Sequence, residues 1–332
     1  MRNLHDLGRE RNQGENMLRI GRIKESVYQR SVEKQLHNDK KACQPYLTQT
    51  VTVEGWTLAA ERVVRNMVNA FASRGAAVEQ ITVSVIMPAG SEEAAFRGFT
   101  SGLGYLCKQE KIWVTVEDAR VLREVSIPLI RAVGIGPQTG KTETDRLAAD
   151  IDVILAGSIA REGAAILAIE KEEELRKRFA AFYVEAAQAL YDDAAMPAVR
   201  ELIREYGAHG IAVREGGIFA GLWNLAAAGK VGLDIDLGAI PIRQHTVEVC
   251  EYFNLNPYML LSGGCILLAA AHGESLVAAL EDRGITAAVI GKTRTGNDRI
   301  IRYDDEIRYL EPPKADEIYA ARDAQASYEK ER

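Results

Sequence analysis

The chain has 332 residues, 47% of them hydrophobic, with 41 Lys and Arg against 47 Asp and Glu for a formal net charge of −6. At roughly 150 residues per domain this length predicts about two domains, each able to bury a core without disulfide staples. The acidic balance argues against a dedicated nucleic-acid binder, and no stretch approaches the ~18 consecutive apolar residues of a membrane span.

Residues 1–17 read as a flexible tail, followed by a helix from Lys24. Thr48–Val53 alternates and is β-branched, which predicts a strand. Leu58–Ser73 carries Leu58, Val63, Val64, Met67, Val68 and Phe71 on one helical face, and Gly75 closes it. Strand Gln80–Met87, helix Glu92–Gln109 and strands Ile112–Val116 and Ile127–Ile135 complete an α/β domain over residues 18–136. Residues 134–146 are rich in Gly, Pro, Thr and charge, which places a linker at 137–147. The second domain, 148–315, begins with strand Asp152–Leu155 and a helix opening at Glu162. Helices over Phe182–Tyr191 and Ala195–Tyr206, strand Ile211–Val213, helix Gly217–Ala228 and strand Gly232–Ile235 follow. Helix Thr246–Phe253, strand Cys265–Ala270, helix Glu274–Arg283 and strand Ala287–Ile290 complete it. Residues 316–332, after Pro312-Pro313, read as a charged tail.

Four scattered cysteines, Cys43, Cys107, Cys250 and Cys265, include no Cys-x-x-Cys pair, which argues against a structural zinc site. Cys250 and Cys265 read as buried small hydrophobes. His209, His245 and His272 have no metal spacing and read as surface or packing residues. The charged start lacks an apolar signal-peptide core, so the expected location is the cytoplasm. Gly134-Ile135-Gly136-Pro137-Gln138-Thr139-Gly140-Lys141-Thr142 imitates a phosphate loop. However, Gly136 is one residue too close and Gly134 one too far for the Gly-x-x-x-x-Gly-Lys-Ser/Thr spacing.

Two stretches of the second half are more specific. Arg214-Glu215-Gly216-Gly217 is followed by Val231-Gly232-Leu233-Asp234-Ile235 and Ile240-Pro241-Ile242-Arg243. Asn256-Pro257-Tyr258 leads through Ser262-Gly263-Gly264 to Ala288-Val289-Ile290-Gly291. This order resembles the C-terminal domain of the aminoimidazole ribonucleotide (AIR) synthase superfamily, and is closest to its hydrogenase-maturation-like branch. Leu18–Ile23 and Ala72-Ser73-Arg74-Gly75-Ala76 are similar to elements of that branch, and the resemblance spans roughly residues 18–315. It implies an α/β (α+β) protein with a two-domain AIR synthase-like fold. The N-terminal domain pairs into a dimeric barrel-like sheet, and the C-terminal mixed sheet is flanked by helices. It also implies a homodimer with ATP in a cleft between the domains and Mg²⁺ on acidic residues.

The departures fall on that chemistry. The chain lacks the family's early Gly-Asp-Asp-Ala-type loop, and Asn69-Ala70 stands where the resemblance implies an acidic metal ligand. Val116-Glu117-Asp118-Ala119 lacks the expected Gly-Gly turn, and Ala212-Val213-Arg214 replaces Asp-x-Thr. The ending Tyr328–Arg332 lacks the carrier cysteine of the branch's dehydratase, so that reaction is expected to be excluded. The leading expectation is therefore a degenerate member: a pseudoenzyme with a small-anion site, or a regulatory or scaffold protein. Its candidate ligand residues are Arg214, Glu215, Gly216, Gly217, Glu162, Gly163 and Asn69. The first four combine a helix N-terminus with a guanidinium, a pattern that attracts anions. Two alternatives stand beside it. One is an ATP-dependent enzyme with a relocated site, Glu117 and Asp118 supplying metal carboxylates beside Arg214 and Glu215. The other is a subunit that pairs with an active paralogue.

Overall fold

Period-two alternation builds the first layer of the structure, a computed structural model that describes residues 46–138 and 147–322. Strand β1 (Tyr46–Glu54) turns Val51 and Val53 inward, and β2 (Gln80–Pro88) does the same with Ile81, Val83, Val85 and Met87. With β3 (Trp113–Leu122) and β4 (Leu129–Pro137) they form a four-stranded sheet ordered β1-β4-β2-β3. Helix α1 (Ala59–Ala72) follows β1, and α2 (Glu93–Gln109) is the crossover that makes β2 and β3 parallel. Val63, Met67 and Phe71 of α1 and Leu103 of α2 fill the core against the inward strand residues. The alternate positions, including Thr48, Thr50 and Thr52 of β1 and Arg131 and Ile135 of β4, are exposed. One sheet face is thus packed and the other largely open.

The second layer is a seven-stranded sheet. Its strands are β5 (Asp152–Gly157), β6 (His209–Ala212), β7 (Gly232–Asp236), β8 (Cys265–Ala270), β9 (Ala287–Arg294), β10 (Arg299–Tyr303) and β11 (Glu306–Tyr309), ordered β11-β10-β7-β9-β5-β8-β6. Only the β7–β10 neighbours run parallel. β5 and β8 are apolar almost throughout because both faces are covered. Val153, Leu155, Cys265 and Leu267 enter one core, while Ile154, Ala156, Ile266 and Leu268 enter the opposite one. Helices α3 (Arg161–Glu170), α4 (Glu172–Leu175), α5 (Ala181–Gln188) and α6 (Val199–Tyr206) lie between β5 and β6. α7 (Gly217–Gly229), α8 (Gln244–Tyr252) and α9 (Gly273–Glu281) follow in the chain.

Most expected elements are present, several within a residue of their expected bounds. Three readings are corrected. Val116–Ala119 is not a turn: it lies inside β3, and Glu117 is the extra residue of a bulge between the pairs Val83–Val116 and Ser84–Asp118. The hairpin β10–β11 was not anticipated. Residues 316–322 are not a solvated tail, because Asp316, Ile318 and Ala321 are buried. The tail over 1–17, the helix from Lys24 and the Leu18–Ile23 opening lie outside the described residues, as do Thr139–Thr142 and the Tyr328–Arg332 ending. Gly134 and Gly136 belong to β4 and let it approach α1: a Cβ at Gly134 would lie 2.9 Å from Phe71. At the linker's far end Leu147 is buried, and its amide bonds the Gly229 carbonyl at 3.0 Å. Cys43–Arg332 forms one compact unit, so the two sheets are parts of a single body.

Candidate functional site

The turn before α7 needs its glycines. Gly216 and Gly217 have φ of +78° and +64°, a region that side chains rarely adopt, and a Cβ at Gly217 would lie 2.9 Å from Met259 Cα. The Gly216 amide donates to Asp316 Oδ2 at 2.7 Å. The other Asp316 oxygen accepts from Leu261 N at 3.1 Å and Ile318 N at 2.9 Å. Gly217 N and Phe219 N donate to the carbonyls of Arg214 and Tyr258, each at 3.2 Å. The position expected to attract an anion is therefore filled by the chain's own carboxylate. Burial pushes the Asp316 carboxyl up to about 7 against the pull of its three backbone bonds, and Glu215 adds to the rise. Arg214 Nη1 donates to the Thr50 carbonyl of β1 at 2.8 Å, and Glu215 is exposed.

Glu162 occupies the first turn of α3, where a negative charge complements the helix dipole. It is 1% exposed and bonds Arg62 Nε at 2.6 Å and Asn66 Nδ2 at 3.2 Å. Arg62 Nη1 in turn donates to the Glu54 carbonyl at 2.9 Å, and the Tyr191 hydroxyl donates to Asn66 Oδ1 at 2.8 Å. Asn69 uses both ends of its amide: Nδ2 donates to Ala194 O and Oδ1 accepts from Met196 N, each at 2.7 Å. Arg62, Asn66 and Asn69 recur at helical spacing on one face of α1, which turns toward the second half of the protein. Burial raises the Tyr191 phenol well above its ordinary value, so it stays a neutral donor.

The loop Leu260–Gly264 joins the two clusters. Leu261 N reaches Asp316, while Leu261 O accepts from Gly163 N at 2.9 Å. A Cβ at Gly163 would lie 2.5 Å from Leu260 Cγ, and one at Gly263 would strike Glu162 Oε2 and Asn66 Oδ1. Ser262 Oγ accepts from Ala160 N at 2.8 Å and donates to Leu260 O at 2.7 Å. The backbone of Leu261 thus joins the Gly216-Gly217 turn to Glu162-Gly163, while Asn69 bonds Ala194 and Met196 and the Arg214 side chain reaches β1. Arg62, Asn66 and Tyr191 complete the Glu162 cluster, and Asp316 completes the one at Gly216. The polar stripe Arg62/Asn66/Asn69 carried a signal in its spacing; Asp316 carried none.

Glu117 and Asp118 stand apart. β3 and β1 are the two edges of the four-stranded sheet, with two strands between them. At ~4.8 Å per strand step, residues at those edges are about 14 Å apart. Asp118 pairs with Arg120 of its own strand at 2.7 Å, whereas Arg214 binds β1. The four residues of a relocated site do not converge in one chain. Among the described residues no group of three His, Cys, Asp or Glu side chains could hold a metal ion. At the candidate positions the Gly216 amide is already taken by a carboxylate and Glu162 by a guanidinium, so Mg²⁺–ATP would have to displace these partners. His245 packs on the Tyr183 ring at 4.3 Å, consistent with a packing role. No helix of the described residues is long and apolar enough to cross a membrane.

Residues 152–304 match the family "AIR synthase related protein, C-terminal domain". Sequence match and fold define the class of the second half: residues 152–304 carry an AIR synthase-related C-terminal domain, and the whole chain has the AIR synthase-like fold. Within that class it is similar to "Carbamoyl dehydratase HypE" of Rhizobium leguminosarum bv. viciae, 26% identical over 239 residues. That match covers 69% of this chain and 66% of the relative, so the chain spans just under two thirds of the relative's length. A hydrogenase maturation protein HypE solved in complex with ATP has a TM-score of 0.70 at 17% identity, covering 85% of this chain and 90% of that one. AaThiL, complexed with AMPPCP and TMP, has a TM-score of 0.61 at 16% identity, covering 79% and 84%. These structures share the two-domain α/β fold.

Proposed function

We propose that this protein is a non-catalytic member of the hydrogenase-maturation-like branch, acting in the cytoplasm as a homodimeric scaffold or regulatory subunit. One observation carries the reading: the candidate ligand positions at the Gly216-Gly217 turn and at Glu162 are filled by the chain's own groups. Asp316 sits on the Gly216 amide, and Arg62 and Asn66 sit on Glu162. An anion entering beside Gly216 must displace a buried carboxylate held by three amides, so any small-anion binding there is weak. The dimer is supported by the open face of the four-stranded sheet and by Trp113, 81% exposed on its β3 edge. A second copy, or a paralogous chain, would cover that face.

The second reading is a nucleotide-dependent enzyme, favoured by the likeness to a HypE protein solved with ATP. It requires nucleotide to displace Asp316 from Gly216. Thermal unfolding with millimolar ATP and Mg²⁺, run beside sedimentation equilibrium, separates the two. The scaffold reading predicts a dimer whose melting temperature nucleotide leaves unchanged. A Mg²⁺-dependent rise in melting temperature would replace it with the enzyme reading.

A further inference from the structure

The segment Asp316–Arg322 touches both halves of the protein. In the second half, Asp316 holds the turn before α7 and the Leu260–Gly264 loop through Gly216 N and Leu261 N. In the first half, the Tyr319 hydroxyl donates to Glu54 Oε1, at the end of β1, at 3.1 Å. Arg322 Nη2 meets Glu170 Oε1 at the end of α3 at 2.9 Å. That same Glu170 oxygen accepts from Thr57 Oγ1, just beyond β1, at 2.9 Å. Ile318 and Ala321 drop into the core that contains Ala164, Leu167 and Val249 of α3 and α8. A short stretch of chain thus spans the junction with one apolar stitch and three polar ones. Of the polar stitches only Asp316 is fully buried.

We propose that Asp316–Arg322 is a strap that clamps the two halves together and lets go as the pH rises, with Asp316 as its catch. The proposal goes beyond the scaffold reading and does not depend on it. Titratable groups face the catch and its surroundings. Glu215, which precedes α7, and Tyr319 of the strap face Asp316 itself; Glu54, at the end of β1, faces Tyr319, Glu317 faces Cys250, Lys314 pairs with Glu311 and Arg214 is engaged with Thr50. The loop Asn256–Gly264 contributes Tyr258 and no charge. Among the described residues no cation is bonded to Asp316; its partners are three backbone amides. Burial and Glu215 hold its docked carboxyl at about 7. A released aspartate titrates near ~3.9. The docked strap therefore binds the proton more tightly than the free strap. Docking is strongest below about pH 4, weakens about tenfold per pH unit as pH rises toward 7, and is level above that.

Hydrogen exchange of the full chain, corrected for the intrinsic pH dependence of amide exchange, tests this between about pH 5.5 and about pH 8. In peptides covering 214–218 and 314–322, the opening equilibrium should rise roughly tenfold from pH 5.5 to 6.5 and flatten above 7, while β2 peptides hold steady. Asp316→Asn should abolish the slope. Tyr319→Phe should raise opening at every pH and keep the slope, which guards against an Asp316 variant that fails to fold. Strap opening that is constant across the range in the wild type would overturn the proposal. So would a slope that survives in Asp316→Asn or disappears in Tyr319→Phe.

Discussion

Arg62 of α1 and Glu162 of α3 form an ion pair at 2.6 Å, with side chains 6% and 1% exposed, across the junction of the two halves. Both charges have further partners, Arg62 on the Glu54 carbonyl and Glu162 on Asn66. Taking one partner away strands the other in a dry site. Arg62→Met is therefore expected to cost about 3–5 kcal/mol in urea unfolding, and the double change Arg62→Met with Glu162→Met to recover much of that loss.

Tyr191 is fully buried, and its hydroxyl is a partner of Asn66 Oδ1. Tyr191→Phe keeps the ring and removes the donor, leaving an amide oxygen unsatisfied. The expected loss is about 1–3 kcal/mol, read from the unfolding midpoint at an unchanged denaturant slope.

Two Gly→Ala changes should have opposite signs. At Gly263 an added methyl meets Glu162 and Asn66, so Gly263→Ala should destabilise by about 1–3 kcal/mol or more. Gly104 is exposed within α2 with nothing within 4 Å of an added Cβ. Gly104→Ala should stabilise by about 0.5–1 kcal/mol, the helix propensity gain. Paired thermal melts decide both.

Burial raises the thiols of Cys107 to about 11 and of Cys250 and Cys265 to about 12. Each stays protonated at neutral pH and closed to solvent. Thiol labelling at about pH 8 followed by peptide mapping should leave these three unmodified in the native protein and modify them in denaturant. Native labelling of Cys265 would contradict the packing described for β8.

Much of this fold was legible in the sequence because its cores are periodic. Ile81, Val83 and Val85 alternate, Val63, Met67 and Phe71 recur at helical spacing, and Cys265–Ala270 is a bare apolar run. The strand β3 was cut short at Val116 because Glu117 and Asp118 look like turn residues. An edge strand tolerates such charges on its solvent side. The hairpin β10–β11 was missed because β11 is exposed throughout and has no alternation to betray it. The candidate site was legible as to place and mistaken as to state. Glu162-Gly163 and the Gly216-Gly217 turn are joined through the Leu261 backbone, whereas Asn69 bonds Ala194 and Met196 instead. What fills the turn is Asp316, one hundred residues further on. Local patterning cannot bring such partners together, and a carboxylate near the end of a chain otherwise reads as a solvated charge.

The central claim, that the chain's own side chains occupy its candidate ligand positions, is tested most directly by calorimetric titration of ATP into the protein with and without Mg²⁺. The account predicts no saturable heat at millimolar nucleotide in either condition. Saturable, Mg²⁺-dependent binding that Arg214→Ala weakens would contradict it.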